Sequence, residues 1–126
     1  MTGINPVPGA RASCLAILQD AELTSVNVWR HGVTLGFNNR PLTITVESNA
    51  EFQVQGRAEV FQQEVIVAFG ARVLALIGCN VVEVVVTGDR ILSLNFSDGS
   101  KVTLRPDETG YESYSVNLPD GSLFIG

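Results

Sequence analysis

Carboxylates are the most plentiful group in this sequence that could do chemistry, and several fall in predicted turns of its C-terminal part. Gathered at one end of a sheet, they would form an acidic rim able to recognise a basic partner, with tyrosines as amphipathic anchors. The simpler interpretation is that turns are polar because they are solvated, and both interpretations stay open. The residues predicted to contact a partner are Asp98, Asp107, Glu108, Tyr111, Glu112 and Asp120.

Other reactive groups are sparse. His31 is the single histidine and has no neighbouring residue with which to form a metal site, so we interpret it as a turn residue. Cys14 and Cys79 lie beside apolar runs without an activating base, which favours buried free thiols over a disulfide or a catalytic nucleophile. Neither a Gly-x-Ser-x-Gly elbow nor a glycine-rich phosphate loop occurs. The sequence therefore predicts no catalytic residues, no metal site and no cofactor, and hence no enzyme.

The charge balance narrows the choice of partner. Thirteen acidic and eight basic residues give a net charge of −5, and Lys101 is the single lysine. Nucleic acid binding needs clustered cations, so we expect none. The apolar run 14–18 is too short for a signal peptide or a membrane span, which predicts a soluble, cytoplasmic protein.

The length of 126 residues predicts a single domain, 1–126, large enough to bury a core without disulfides. Its predicted parts are a loose lead-in rich in proline and glycine, a first meander, a helical connection and a second meander. The fold class is α+β, a mainly antiparallel sheet made of two similar β-meanders with one principal helix packed against it. The boundaries are 1–9, 23–55, 60–78 and 81–125.

Alternation of apolar and polar residues carries the strand predictions. The clearest case is 91–104, where two alternating arms flank Asp98-Gly99, a pair that accepts the positive φ of a tight turn. The segments 26–28, 33–37 and 42–46 alternate in the same way and predict three consecutive strands. A further short strand is expected at 52–55.

The region 61–77 changes to a spacing of three to four residues, which is typical of an amphipathic helix. The pattern is firm only over 68–77, and Gly78 stands where a C-cap glycine is expected. Residues 10–19 fit either a short helix, which we favour, or a short buried strand.

The strands before and after the helix resemble each other in sequence, which suggests an internal duplication of one meander. The predicted matches are 26–28 with 84–86, 33–37 with 92–96, 42–44 with 102–104, and 52–54 with 114–116.

Two motifs resemble a group of small bacterial proteins of unknown function. These are a strand ending in Phe-x-Asp-Gly at 96–99 and the segment Tyr-Glu-Ser-Tyr at 111–114, preceded by a leucine-rich helix that ends at Gly78. Many members have Trp where this chain has Tyr114. Such small acidic domains are also similar to immunity proteins that neutralise toxins passed between competing bacteria. The resemblance carries over no catalytic residue.

Two hypotheses of function follow. The first is a non-enzymatic immunity protein that occludes the basic surface of a cognate toxin with its acidic end. The alternative is a small-molecule-binding module, with the ligand held between helix and sheet, or a scaffold subunit. A homodimer is left open.

Overall fold

The computed structural model describes residues 15–38, 42–87, 89–106, 113–119 and 123–125. These residues form an α+β structure dominated by antiparallel strands, which confirms the predicted fold class. The strands are β1 (Leu23–Trp29), β2 (Gly32–Phe37), β3 (Thr43–Val46), β4 (Ala50–Val54), β5 (Arg57–Phe61), β6 (Val81–Val86), β7 (Leu92–Phe96), β8 (Lys101–Leu104), β9 (Tyr114–Asn117) and β10 (Leu123–Ile125).

The principal helix is α1 (Ile66–Val73), and 3-10 turns at Gln63–Val65 and Leu74–Leu76 extend it at both ends. It begins earlier than the firm part of the predicted pattern and ends where expected, since Gly78 has a φ of +95°. A residue with a Cβ pays a steric cost at that angle. A further 3-10 turn covers Leu15–Leu18, so part of 10–19 is helical, while 10–14 lie outside the described residues.

The described strands form two five-stranded antiparallel sheets. The first sheet has the order β1-β2-β3-β9-β10 and the second has the order β5-β4-β8-β7-β6. Each sheet therefore contains one complete meander, and the hairpin from the other half of the chain extends it. The first half, 15–61, lends β4-β5 to the second sheet, and the second half, 63–125, lends β9-β10 to the first.

The two halves repeat each other in register. β1 pairs with β2 from Leu23 opposite Phe37, with a register shift directly after Leu23. β6 pairs with β7 from Val81 opposite Phe96, with a register shift directly after Val81. A bulge at the same position in both meanders, inside the same exchanged topology, supports the duplication that the sequence predicts.

Reciprocal hydrogen bonds join the two halves at equivalent positions. The Leu23 backbone N–H donates to the Cys79 carbonyl at 3.0 Å, and the Val81 N–H donates to the Ala21 carbonyl at 2.8 Å. Leu23 is equivalent to Val81, and Ala21 is equivalent to Cys79. The starts of β1 and β6 therefore pair across a pseudo-two-fold axis.

Two of the predicted matches need correction. The sheet registers equate 102–104 with 44–46, and 114–116 with 50–52. The predicted matches were 42–44 for the first and 52–54 for the second. Both errors are shifts of two residues, which keep every side chain on its correct face and so leave the alternation unchanged.

The core lies between the inner faces of the two sheets and the helix. The inner side chains of β2, β3 and β7 are fully buried, and they form one cluster with those of β8, β9 and α1. Gly70 lets the helix approach closely, because a Cβ there would lie 2.6 Å from a methyl carbon of Val28 and 3.1 Å from one of Val33. Tyr114 is 1% exposed, so it is a core residue.

Candidate functional site

Most of the predicted acidic surface lies outside the described part of the chain. Asp107, Glu108, Tyr111, Glu112 and Asp120 are not among the described residues. The described member of the set is Asp98.

Asp98 lies in the turn between β7 and β8, where the sequence predicts a tight hairpin. Its Oδ1 accepts a hydrogen bond from the Ser100 backbone N–H at 2.9 Å, and its Oδ2 accepts one from the Ser100 hydroxyl at 3.1 Å. Gly99 takes a φ of +93° between them. Asp98 therefore stabilises its own turn, while its exposed carboxylate also borders a groove.

This groove, which we call the helix–sheet groove, lies between the helix and the β4-β5 hairpin and has a volume of about 610 Å³. Its residues come from four places: the inner face of β4, the edge strand β5, the C-terminal part of the helix, and the β7-β8 turn. They are Phe52, Val54, Arg57, Ala58, Glu59, Ala71, Arg72, Ala75, Leu76, Asp98 and Ser100.

The shape of the groove follows from side-chain size. Phe52 and Leu76 are buried and form an apolar floor, whereas Val54 is 42% exposed. Ala71 and Ala75 lie four residues apart on one helix face, so they line the groove with methyl groups. Larger side chains at these two positions would fill it.

An ion pair spans the groove from helix to sheet. Arg72 donates from Nε to Glu59 Oε1 at 2.6 Å and from Nη2 to Oε2 at 3.1 Å, a bidentate geometry. These hydrogen bonds lower the pKa of the Glu59 carboxyl, although burial acts against them, and they raise the pKa of the Arg72 guanidinium. Both side chains are about half exposed, so the pair fixes geometry more than it stabilises the fold.

Among the described residues, Arg57 is the charged side chain of the groove without a hydrogen bond, although its charge helps to lower the pKa of the nearby Glu59 carboxyl. Glu59 accepts from Arg72, and Asp98 accepts from Ser100. Among the described residues, the ion pairs are Arg72–Glu59 and Arg105–Glu51, so Arg57 takes part in neither. A cation that lines an apolar groove without a hydrogen-bond partner could form an ion pair with an anionic group of a ligand.

The described residues show no arrangement for covalent chemistry. His31 lies exposed in the turn between β1 and β2, and Cys79 is a half-buried free thiol, while Cys14 lies outside the described residues. Within the same ranges, no group of three His, Cys, Asp or Glu residues could hold a metal ion. No described helix is long and apolar enough to cross a membrane. The arrangement that the described side chains do build is the helix–sheet groove.

The alternative ligand was predicted between helix and sheet, but of the groove's charged residues the sequence pointed only to Asp98, and it did so as a contact for a protein partner. Arg57 and Glu59 belong to β5, a strand that the sequence pattern does not predict. The sequence signal for this hairpin was the pair Gln55-Gly56. In the structure both residues have positive φ and form the two-residue turn between β4 and β5.

Comparison with known proteins gives one family. A family model described as a family of unknown function, DUF6188, matches residues 15–126. The chain belongs to DUF6188. The match spans every described element and confirms the expected membership in a family of unknown function. No curated protein and no solved structure matches.

Proposed function

We propose that this DUF6188 protein is a non-enzymatic binding protein that holds a small anionic molecule in the helix–sheet groove. The observation that carries the proposal is the groove itself, with an apolar floor and convergent charges at its rim. Its volume of about 610 Å³ lies inside the range of roughly 300–1,000 Å³ typical of ligand sites.

The charges of the groove point to the class of ligand. Both carboxylates already accept hydrogen bonds, so a ligand cation would have to compete for them. Within one copy of the chain, Arg57 can pair with a carboxylate or phosphate without displacing a hydrogen-bond partner among the described residues, and Arg72 lies on the opposite wall with its position fixed by Glu59. The apolar floor then accommodates the carbon skeleton of the same molecule.

Thermal shift against a panel of carboxylate and phosphate metabolites tests this proposal. A ligand at 100 times its dissociation constant stabilises by about 2.7 kcal/mol, which is a rise in Tm on the order of 10 °C for a domain of this size. Ala75→Trp fills the groove and should abolish the shift. Ala68→Trp is the matched control, since Ala68 is an exposed residue of the same helix outside the groove.

The thermal shifts of the variants test where the ligand binds and which group it needs. Arg57→Ala should weaken binding of anionic ligands and leave the folding of the protein unchanged. A shift that persists in Ala75→Trp would place the ligand elsewhere. No shift with any anion of the panel would reject the proposed class of ligand.

We propose as the second candidate an immunity protein that neutralises a cognate toxin in the cytoplasm through an acidic surface. The net charge of −5 supports it, because an acidic surface steers basic partners towards encounter. The exposed carboxylate of Asp98 is the described part of that surface.

Co-purification from the native host, guided by the neighbouring gene, would supply the toxin for this test. Reversing the charges at Asp107, Glu108 and Glu112 should then slow association, with the effect reduced at high salt. If association keeps its rate in the triple variant, the acidic surface named here is not the contact. Ala75→Trp separates the two candidates, because it blocks the groove without changing charge.

A further inference from the structure

Strand β5 presents an open edge. It is the terminal strand of the second sheet, and it follows β4 through the two-residue turn Gln55-Gly56, with φ values of +51° and +79°. In such a turn the flanking residues, here Val54 and Arg57, form a hydrogen-bonded pair. Pairs alternate along the ladder, so the backbone groups of Ala58 and Val60 point away from β4.

No backbone partner occupies this edge within the described residues. The hydrogen bonds between separate segments of the chain include none from Ala58 or Val60. The edges of β1 and β6 differ, because their starts are joined to each other across the pseudo-two-fold axis. An unpaired edge of this kind is a template for an added strand.

The side chains of β5 select which strand can be added. Arg57 and Glu59 lie on the inner face and line the groove, while Val60 lies on the outer face. Val60 is 60% exposed, the highest fraction among the large exposed hydrophobic side chains of the described residues. A cation and an anion two residues apart on one face make the strand complementary to itself in the antiparallel direction.

We propose that β5 pairs with β5 of a second copy of this chain, antiparallel about Ala58, and so forms a two-fold dimer. In this register Arg57 lies opposite Glu59 of the second copy, and the symmetry repeats the pair. Opposite charges directly across a strand pair stabilise it, whereas like charges destabilise it. Centring the two-fold axis on Glu59 instead would place the two Glu59 carboxylates opposite each other.

The dimer also changes the groove. The inner faces of both second sheets lie on the same side of a continuous sheet, so the two grooves open next to the seam. Arg57 of the second copy then stands beside Glu59 of the first, at the mouth of the groove. The proposal does not depend on any ligand, since oligomeric state is measured on the protein alone.

Analytical ultracentrifugation over a concentration series tests the dimer on the full chain. The wild-type protein should show a reversible monomer–dimer equilibrium. Arg57→Glu should raise the dimer dissociation constant roughly tenfold or more, because both cross-strand pairs become repulsive. Ala58→Pro should also weaken the dimer, since it removes an outward N–H while edge positions tolerate proline.

Mixing two variants provides the decisive control. Arg57→Glu and Glu59→Arg should each be mainly monomeric alone at a concentration where the wild type is mainly dimeric, but an equimolar mixture should form a heterodimer, because acidic residues then face arginines at both pairs. Hydrogen exchange on the wild type covers the case in which Glu59→Arg does not fold. The amides of Ala58 and Val60 should become more protected as concentration rises.

Three results would overturn the proposal. The first is a wild-type protein that stays monomeric at every concentration. The second is a dimer whose dissociation constant is unchanged by both Arg57→Glu and Ala58→Pro. The third is exchange at Ala58 and Val60 that does not respond to concentration.

Discussion

Replacing Tyr114 with Phe removes the hydroxyl group of a core tyrosine and keeps its ring, so the variant isolates the contribution of the hydroxyl. The Tyr114 hydroxyl donates a hydrogen bond to the Arg90 carbonyl at 2.5 Å, linking β9 of the first sheet to the loop before β7 of the second. Phe keeps the ring and fills the same space, so no cavity forms. Arg90 is exposed, and water can solvate its carbonyl in the variant. We therefore expect a loss of about 1 kcal/mol in the free energy of unfolding at neutral pH.

At alkaline pH the same substitution should stabilise the protein relative to the wild type. Burial raises the pKa of the Tyr114 hydroxyl above its ordinary value, and the nearby Arg90 charge acts weakly against this. The folded chain therefore keeps the Tyr114 proton at a pH where the unfolded chain has released it. The stability supplied by the protonated hydroxyl is present below about pH 10 and is lost as pH rises, by about 1.4 kcal/mol per pH unit.

Tyr114→Phe lacks this titration. Its stability difference from the wild type should shrink above about pH 10 and reverse near about pH 11. Urea unfolding of both proteins between pH 7 and 11 measures the difference, and absorbance of the folded wild type reports the tyrosine ionisation. A difference that stays constant from pH 9 to 11 would mean that the Tyr114 hydroxyl titrates normally, in conflict with its burial.

Four further substitutions test the packing, the duplication and the turn. Gly70→Ala should destabilise the protein by about 1 kcal/mol, since overpacking costs about 1–3 kcal/mol and the better helix propensity of Ala offsets up to about 1 kcal/mol. In a Val28→Ala background this loss of stability should disappear. If the loss remains there, contact with Val28 is not its cause. Leu35→Ala and Leu94→Ala occupy equivalent buried positions and should each cost about 2–5 kcal/mol in urea unfolding; a mild effect at one position alone would show that the halves differ in packing. Asp98→Ala should lower Tm by a few degrees, corresponding to about 1 kcal/mol, and an unchanged Tm would mean that its two hydrogen bonds contribute nothing.

The sequence predicts which face each strand buries better than it predicts the neighbour of that strand. Alternation over 33–37 and 92–96 marks the inner faces correctly, and all the odd positions of 33–37 are fully buried or nearly so. Alternation carries no information about which strand pairs with which. The exchange of hairpins between halves therefore lies outside what periodicity can show, as do the two-residue errors in matching the repeats.

Strand β5 was missed for a physical reason. Four of its five residues are exposed, and Phe61 is the buried one. An edge strand with charged inner positions shows no apolar alternation, so the helical spacing that begins at Phe61 dominated the interpretation. The groove could not be predicted in detail, because its walls come from β5 and from a helix whose contact with the sheet depends on Gly70.

The two halves differ in sequence at positions that line the groove. Glu59 pairs with Phe52 in β4, and the equivalent pair in the other half is Phe124 with Val116. The helix position of Arg72 corresponds in sequence to Cys14. The ion pair joins Glu59 of the first half to Arg72 of the second, and the equivalent sequence positions hold an aromatic residue and a cysteine. Bulges, reciprocal hydrogen bonds and inner faces are shared because the duplicated fold needs them. A charged pair with no charged counterpart at the equivalent sequence positions is not required by that fold, which makes Arg72 and Glu59 suitable positions for testing the proposed groove.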